Sequence, residues 1–326
     1  MRQILRRVGL YLLTAWVAIT VNFALPRAMP GNPIQDLIGK IQTQVTPQEI
    51  KAIELSFGDP FKHGLVVQYW TYLTQLFHGN LGVSITLGEP VRTILDASVP
   101  WTVGLIGVAT VISFVVGTFA GAMLGWARGS RFDTIIPTAT FFQAVPYFFL
   151  ATVMLLVFGS DLHWFPVLGA YSDSVTPGWN WAFVASALRY AELPLISVVL
   201  SSVAGWILGM RNMMITMIGE DFVLMAVAKG LKRRRVIFHA ARNAVLPSIA
   251  NFSLAIGLVV SGALLVELVF NYPGVGDLLL QAVLNEDYPL IQGIFLIITL
   301  TVLAANLIAD FIYLWLDPRT RIEAAA

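Results

Sequence analysis

The chain has no cysteine at all. That excludes disulfides, thiolate metal sites and cysteine nucleophiles, and it leaves the compartment open. Histidine is scarce: the four, His63, His78, His163 and His239, are scattered, and no H-E-x-x-H or other metal-binding spacing occurs. No G-x-x-x-x-G-K-[ST] stretch is present, so this chain does not cradle nucleotide phosphates by that route. No serine or threonine has an evident base beside it, which leaves an enzyme reading with little support. Charge is the other shortage. Only 12% of residues are charged and the formal net charge is +1, whereas soluble domains carry about 25% charged residues. So small a bulk charge points to no nucleic-acid partner. What the chain has instead is 57% hydrophobic residues and a mean hydropathy of +0.76. Too little polar surface is available to cover a soluble core of that size, so the composition is that of an integral membrane protein.

A helical span needs about 20 mostly apolar residues. Six stretches qualify: 8–26, 99–127, 134–159, 193–210, 244–270 and 290–316. Their length and the absence of repeated ten-residue alternation favour helices over a barrel. The first stretch follows the basic start MRQILRR, yet it is longer than a signal-peptide core and no A-x-A-like site follows, so it reads as a retained helix. Orientation follows from Lys and Arg. With the N-terminus inside, segments 1–7, 127–131, 211–242 and 317–326 hold 14 of the 20 basic residues, and the outer segments hold 6. The expected fold is therefore all-α: six transmembrane helices, N- and C-termini cytoplasmic, with an extracytoplasmic subdomain between helices 1 and 2. The expected divisions are residues 1–26 (tail and first helix), 27–97 (outer subdomain) and 98–326 (a five-helix core with its cytoplasmic loop at about 211–243).

The outer segment has its own signals. TPQEIKAIELSF at 46–57 reads as a short helix with Thr46 and Glu49 at capping-box spacing. LVVQYWTYLTQLFHG at 65–79 is apolar and aromatic all round and suits packing on the membrane surface or on another subunit. Within the spans, Gly117, Gly121 and Gly125 lie four apart, as do Gly205 and Gly209, a spacing that lets helix backbones approach in lipid. Pro137, Pro146 and Pro247 are expected to kink or break their helices. Polar groups inside apolar stretches are candidates for a substrate pathway or for bundle pairing: Gln143 beside Pro146, Asn251, Glu267, Asn306 and Asp310.

The longest inner segment contains AVAKGLKRRRVIFHAARNAVLP at 226–247. Before it, GEDFVLMAVAKG places Phe222, Met225 and Ala226 on one stripe, which suits a helix near the membrane face. Gly230 offers the tight turn that ends this helix, and KRRRVIFHAARNAVLP then leads into the fifth span. A basic run binding anionic headgroups would account for the charge alone. A glycine-centred helical elbow presented to the cytoplasm suits docking by a soluble partner.

These residues resemble the coupling loop of ABC-transporter permease subunits, whose motif approximates EAA-x3-G. Leu224, Met225, Ala226 and Gly230 stand at those positions, with Leu224 and Met225 departing from the first two. AKGLKRRRV followed by RNAVLP is similar to permeases of the dipeptide, oligopeptide and nickel class. So are PGNP at 30–33, QYWTYLTQLFHGNLGVSI at 68–85, FNYPGVG at 270–276, DYPLIQG at 287–293 and NLIADFIYLWLDPR at 306–319. The likeness covers nearly the whole chain in order and is to the first of that family's two permeases.

The resemblance implies a cell-membrane importer. A second homologous permease would complete a heterodimeric pore. Two cytoplasmic ATPase subunits would bind the ATP and Mg, with no cofactor in this chain, and an extracytoplasmic binding protein would deliver the substrate. On this view Ala226, Lys229, Gly230, Leu231, Lys232, Arg233, Arg234 and Arg235 form the ATPase-coupling surface. Short peptides are the expected cargo. An importer of oligosaccharides such as cello-oligosaccharides is the alternative within the family, and a nickel chelate is left open. A secondary transporter would need paired inverted repeats and a charged midplane site, and neither is visible.

Overall fold

The computed structural model describes residues 2–28, 64–259 and 264–316. The helix expected at 46–57 lies outside them. Among the described residues there is no β-strand, only one backbone bridge between Val83 and Pro90.

Helix α1 spans Arg2–Ala28, with an apolar stretch Val8–Leu25. Helix α2, Leu65–Phe77, precedes a loop closed by the Val83–Pro90 bridge. Helix α3, Val91–Thr102, passes through a π turn, Val103–Gly107, into α4, Val108–Trp126. This helical unit is 36 residues long, so it begins earlier than the apolar run at 99. Arg92 and Asp96, one turn apart at 3.7 Å on its exposed face, hid the first turns.

Helices α5, Ile135–Ala144, and α6, Tyr147–Met154 with its π-helical continuation to Asp161, form one apolar segment bent by 99°. The cause is local. Val145 precedes a proline and takes an extended conformation (φ −77°, ψ 125°), and Pro146 begins the next helix. Pro137 sits in the first turn of α5, where its missing N–H costs nothing.

Helix α7, Trp181–Ile218, is 38 residues long. It starts where Asn180 Oδ1 accepts the Phe183 N–H at 2.8 Å and runs through Pro194, well beyond the expected 193–210. Helix α8 is Asp221–Ala228 and α9 is Arg233–Gly257, which continues through Pro247. The short helices α10, Leu264–Val269, and α11, Val275–Leu284, precede α12, Tyr288–Leu316.

The break expected at Pro146 is present, whereas Pro194 and Pro247 lie inside continuous helices. The described residues give four long apolar helices plus the bent α5–α6 pair. The stretch 244–270 is not one helix: α9 stops at Gly257, and its apolar part beyond the basic turns is only about 21 Å long at 1.5 Å per residue, short of the ~30 Å hydrocarbon core.

The glycine rows behave differently from each other. Gly117, Gly121 and Gly125 lie against α7, where an added Cβ would fall 2.4 Å from Trp206 Cβ, 2.4 Å from the Ile207 carbonyl and 2.6 Å from Met214 Cβ. Only glycine permits this backbone approach. Gly205 and Gly209 meet no such close backbone. Gly209 has open space beside it, and the nearest atom to a Cβ at Gly205 would be Gln143 Nε2 at 3.7 Å.

Candidate functional site

The elbow between α8 and α9 is built from the backbone. Gly230 N–H donates to the Val227 carbonyl (2.9 Å) and Leu231 N–H to the Ala226 carbonyl (3.2 Å), the paired bonds of a Schellman cap. Gly230 holds φ +70°, a conformation that a side chain makes costly. The space around it is open, so the requirement is torsional and not a matter of neighbours. Lys232 then begins α9 in extended conformation.

Below the turn, the elbow has an apolar foot. Val223 and Ala226 of α8, and Val236, Ala240 and Ala244 of α9, are buried against Met210 and Met214 of α7, with Leu231 packed on the same cluster. The buried stripe of α8 is therefore Val223 and Ala226. Phe222 and Met225, which the sequence placed with Ala226, are exposed. Ala226 belongs to the foot and is not on the surface.

Above it, Lys229, Gly230, Lys232, Arg233, Arg234 and Arg235 are all exposed. None of these five cations makes an ion pair with the described residues. Leu224, Met225 and Val227 lie exposed beside them, so the surface is cationic and apolar together. Arg211, by contrast, is engaged: its Nη2 lies 3.3 Å from Asp133 Oδ1. Asp133 Oδ2 accepts the Gly129 N–H at 2.7 Å. That backbone bond first, then Arg211, holds the Asp133 carboxyl below its ordinary range.

The five pathway candidates are not brought together. Gln143 is exposed at the end of α5 and adjoins Gly205, and Asn251 is exposed on α9. Asn306 is half-buried on α12. Asp310, on the same helix, accepts a hydrogen bond from Tyr11 of α1 at 3.1 Å, so it ties two helices. Glu267 is fully buried. Its Oε1 accepts from Thr102 Oγ1 (2.7 Å) and its Oε2 from Gly276 N–H (2.7 Å), while Thr102 Oγ1 accepts from Val275 N–H (2.8 Å). Glu267 is thus enclosed by this chain's own residues. It pins the FNYPGVG loop and the start of α11 to the end of α3.

A second buried carboxylate, Asp287, escaped the sequence reading. It accepts from Ser84 Oγ and from Thr86 N–H (2.9 Å), and its other oxygen caps α12 by accepting Leu290 N–H (3.2 Å). Ser84 and Asp287 lie in two of the quoted words, GNLGVSI and DYPLIQG, but nothing in either word reveals that they pair. Thr102 gave no signal at all.

Comparison with known proteins agrees with this arrangement. Residues 101–322 match the family described as "Binding-protein-dependent transport system inner membrane component". The chain is 33% identical to the di/tripeptide transport system permease protein DppB of Pseudomonas aeruginosa, over 98% of each. It is 29% identical to the oligopeptide transport system permease protein OppB of Salmonella typhimurium, over 98% of this chain and 99% of that one. It is 30% identical to AppB, an oligopeptide transport system permease protein of Bacillus subtilis, over 93% and 94%. The family match takes in the elbow, the glycine-packed helices and the Glu267 lock, and the relatives extend the likeness through the outer segment: the chain is a multi-pass inner-membrane protein and belongs to the family of binding-protein-dependent transport system inner membrane components.

Proposed function

We propose that this chain is one permease of an ABC importer that carries short peptides. The observation that carries the reading is the elbow: a torsionally fixed turn, clamped to α7 by a buried foot, with exposed cations and apolar side chains that the described residues leave unmatched. A protein without a nucleotide site needs an engine and a contact to receive its motion. Two cytoplasmic ATPases, which bind the ATP and Mg, dock on Lys229, Gly230, Leu231, Lys232, Arg233, Arg234 and Arg235. A second, homologous permease completes the pore as a heterodimer, and an extracytoplasmic binding protein delivers the cargo. Six membrane passages, with both termini cytoplasmic, count the bent α5–α6 pair as one and α9 with its continuation to 270 as another. Residues 27–97 form the outer subdomain and 98–326 the core. Gln143, Asn251 and Asn306 are the polar groups proposed for the pathway.

Peptide is preferred as cargo because the three relatives are named for peptides. None of the three favours the oligosaccharide alternative.

The test is Gly230→Val in the full complex. A β-branched residue at φ +70° strains the turn, so the subunit should insert while ATP hydrolysis stops responding to loaded binding protein. Gly230→Asn, which tolerates this conformation, should retain much of the response. Normal stimulated hydrolysis and peptide uptake in Gly230→Val would overturn the proposal. Uptake of labelled dipeptide and of cellobiose by the wild-type complex decides the cargo.

A further inference from the structure

We infer that α2 is an interfacial helix, seated in the outer leaflet at the boundary of acyl chains and headgroups. The helix has no buried residue and no charged one. At about 100° per residue its side chains divide into three sectors. Tyr69, Tyr72 and Leu76 fall on one, and all three are partly covered. Val66, Trp70 and Phe77 fall within about 40° of one another on the second, exposed at 71%, 63% and 86%. Thr74, Thr71 and Gln75 occupy the third together with Val67, and all four are exposed.

The first sector fixes the depth. Tyr69 hydroxyl and Thr20 Oγ1 of α1 share a hydrogen bond of 2.7 Å, Asn22 Nδ2 donates to Tyr72 hydroxyl at 3.4 Å, and Phe23 meets both tyrosine rings. The apolar stretch of α1 ends at Leu25. Asn22 and Thr20 are therefore about 4.5 and 7.5 Å inside its outer end. A second helix gives the same level. Asn22 Nδ2 donates to the Gln292 carbonyl and Gln292 Nε2 to the Asn22 carbonyl, both at 2.9 Å. Gln292 lies four residues into the apolar stretch of α12 that starts at Tyr288, about 6 Å deep. Amphipathic helices that lie in a bilayer surface bury their apolar face by about 5–10 Å.

The occupant of the second sector is lipid. Val17, Val21 and Leu25 of the adjoining α1 are likewise exposed and apolar, and tryptophan suits the interface depth. The third sector, two threonines and a glutamine with one valine and no charge, faces water. Anchoring comes from apolar area alone, so it needs no anionic lipid.

The reading rests on α1 being a membrane span, and the experiment keeps the two apart. The chain has no cysteine, so single nitroxide labels at Val66, Trp70 and Phe77, and at Thr71, Thr74 and Gln75, go directly into the full complex in phosphatidylcholine nanodiscs. Accessibility to oxygen and to a water-soluble nickel chelate is read at each site. The first three should admit oxygen and exclude the chelate, and the last three should show the inverse. Exclusion of both reagents at 66, 70 and 77 means that a second permease covers the face, and access to both means that it is in water. Either result overturns the proposal. A label at Leu12 in α1 reports the span itself: failure there overturns both readings, whereas lipid at Leu12 with water or protein at α2 overturns this one alone. Three separate sites keep the test decisive if one substitution misfolds.

Discussion

In the orientation proposed above, the two ends of the molecule treat charge in opposite ways. At the outer end, Glu267 and Asp287 are fully buried carboxylates with donors from the chain on both oxygens. At the inner end, Lys229, Lys232, Arg233, Arg234 and Arg235 stand exposed without a carboxylate from the described residues. Buried ionisable groups persist only when fully satisfied, so the outer end uses its charges to fix loops. Exposed cations on a backbone-fixed turn are available to another molecule. The difference teaches which charges hold the fold and which serve the assembly.

Substitutions can break that comparison. Glu267→Ala removes the acceptor of both Thr102 and the Gly276 N–H and should lower stability by about 2–4 kcal/mol, read as the unfolding midpoint of the purified complex. An unchanged midpoint would show that the outer lock is not structural. Asp287→Ala loses the cap of α12 along with the Ser84 and Thr86 bonds, for about 1–3 kcal/mol, and should raise proteolytic cleavage within residues 79–90. Replacing Arg233, Arg234 and Arg235 together by Lys should move the midpoint by no more than about 0.5 kcal/mol. Copurified ATPase should nevertheless fall, because lysine does not reproduce the guanidinium fork. Undiminished copurification with full uptake would return the run to a topogenic role. The smallest effect is expected at Asp133→Asn, which weakens the tie to Arg211. Asp133's pKa is lowered below its ordinary 3.8, so the carboxylate stabilises the fold at neutral pH. The gap between wild type and variant should close as pH falls through that depressed range.

Sequence carried the inner end better than the outer one. Gly230 was legible because a helix stop, a glycine and a basic run are adjacent in the chain, and its positive φ bears this out. The Glu267 lock was not, since Thr102 is 165 residues away from it and neither residue shows a local pattern. Asp287 and Ser84, 203 residues apart, pose the same problem. The glycine rows show a different limit. Spacing reports that one face of a helix is small, as at both Gly117–Gly121–Gly125 and Gly205–Gly209. Only the fold decides whether a backbone lies against it. The fifth span misled for a third reason: 244–270 is mostly apolar, and hydropathy does not register the helix end at Gly257.

The 99° bend at Val145 and Pro146 leaves a chemical mark on the bilayer's interior. In a continuous helix the carbonyl of Phe142 would receive the N–H of residue 146, and proline has none to give. Hydrocarbon offers no substitute donor. The Phe142 carbonyl is thus denied its usual helical donor, next to an exposed carboxamide, Gln143. Its partner must be a hydrogen-bond donor, an N–H or O–H, so the break asks of its surroundings what an unbroken helix supplies to itself.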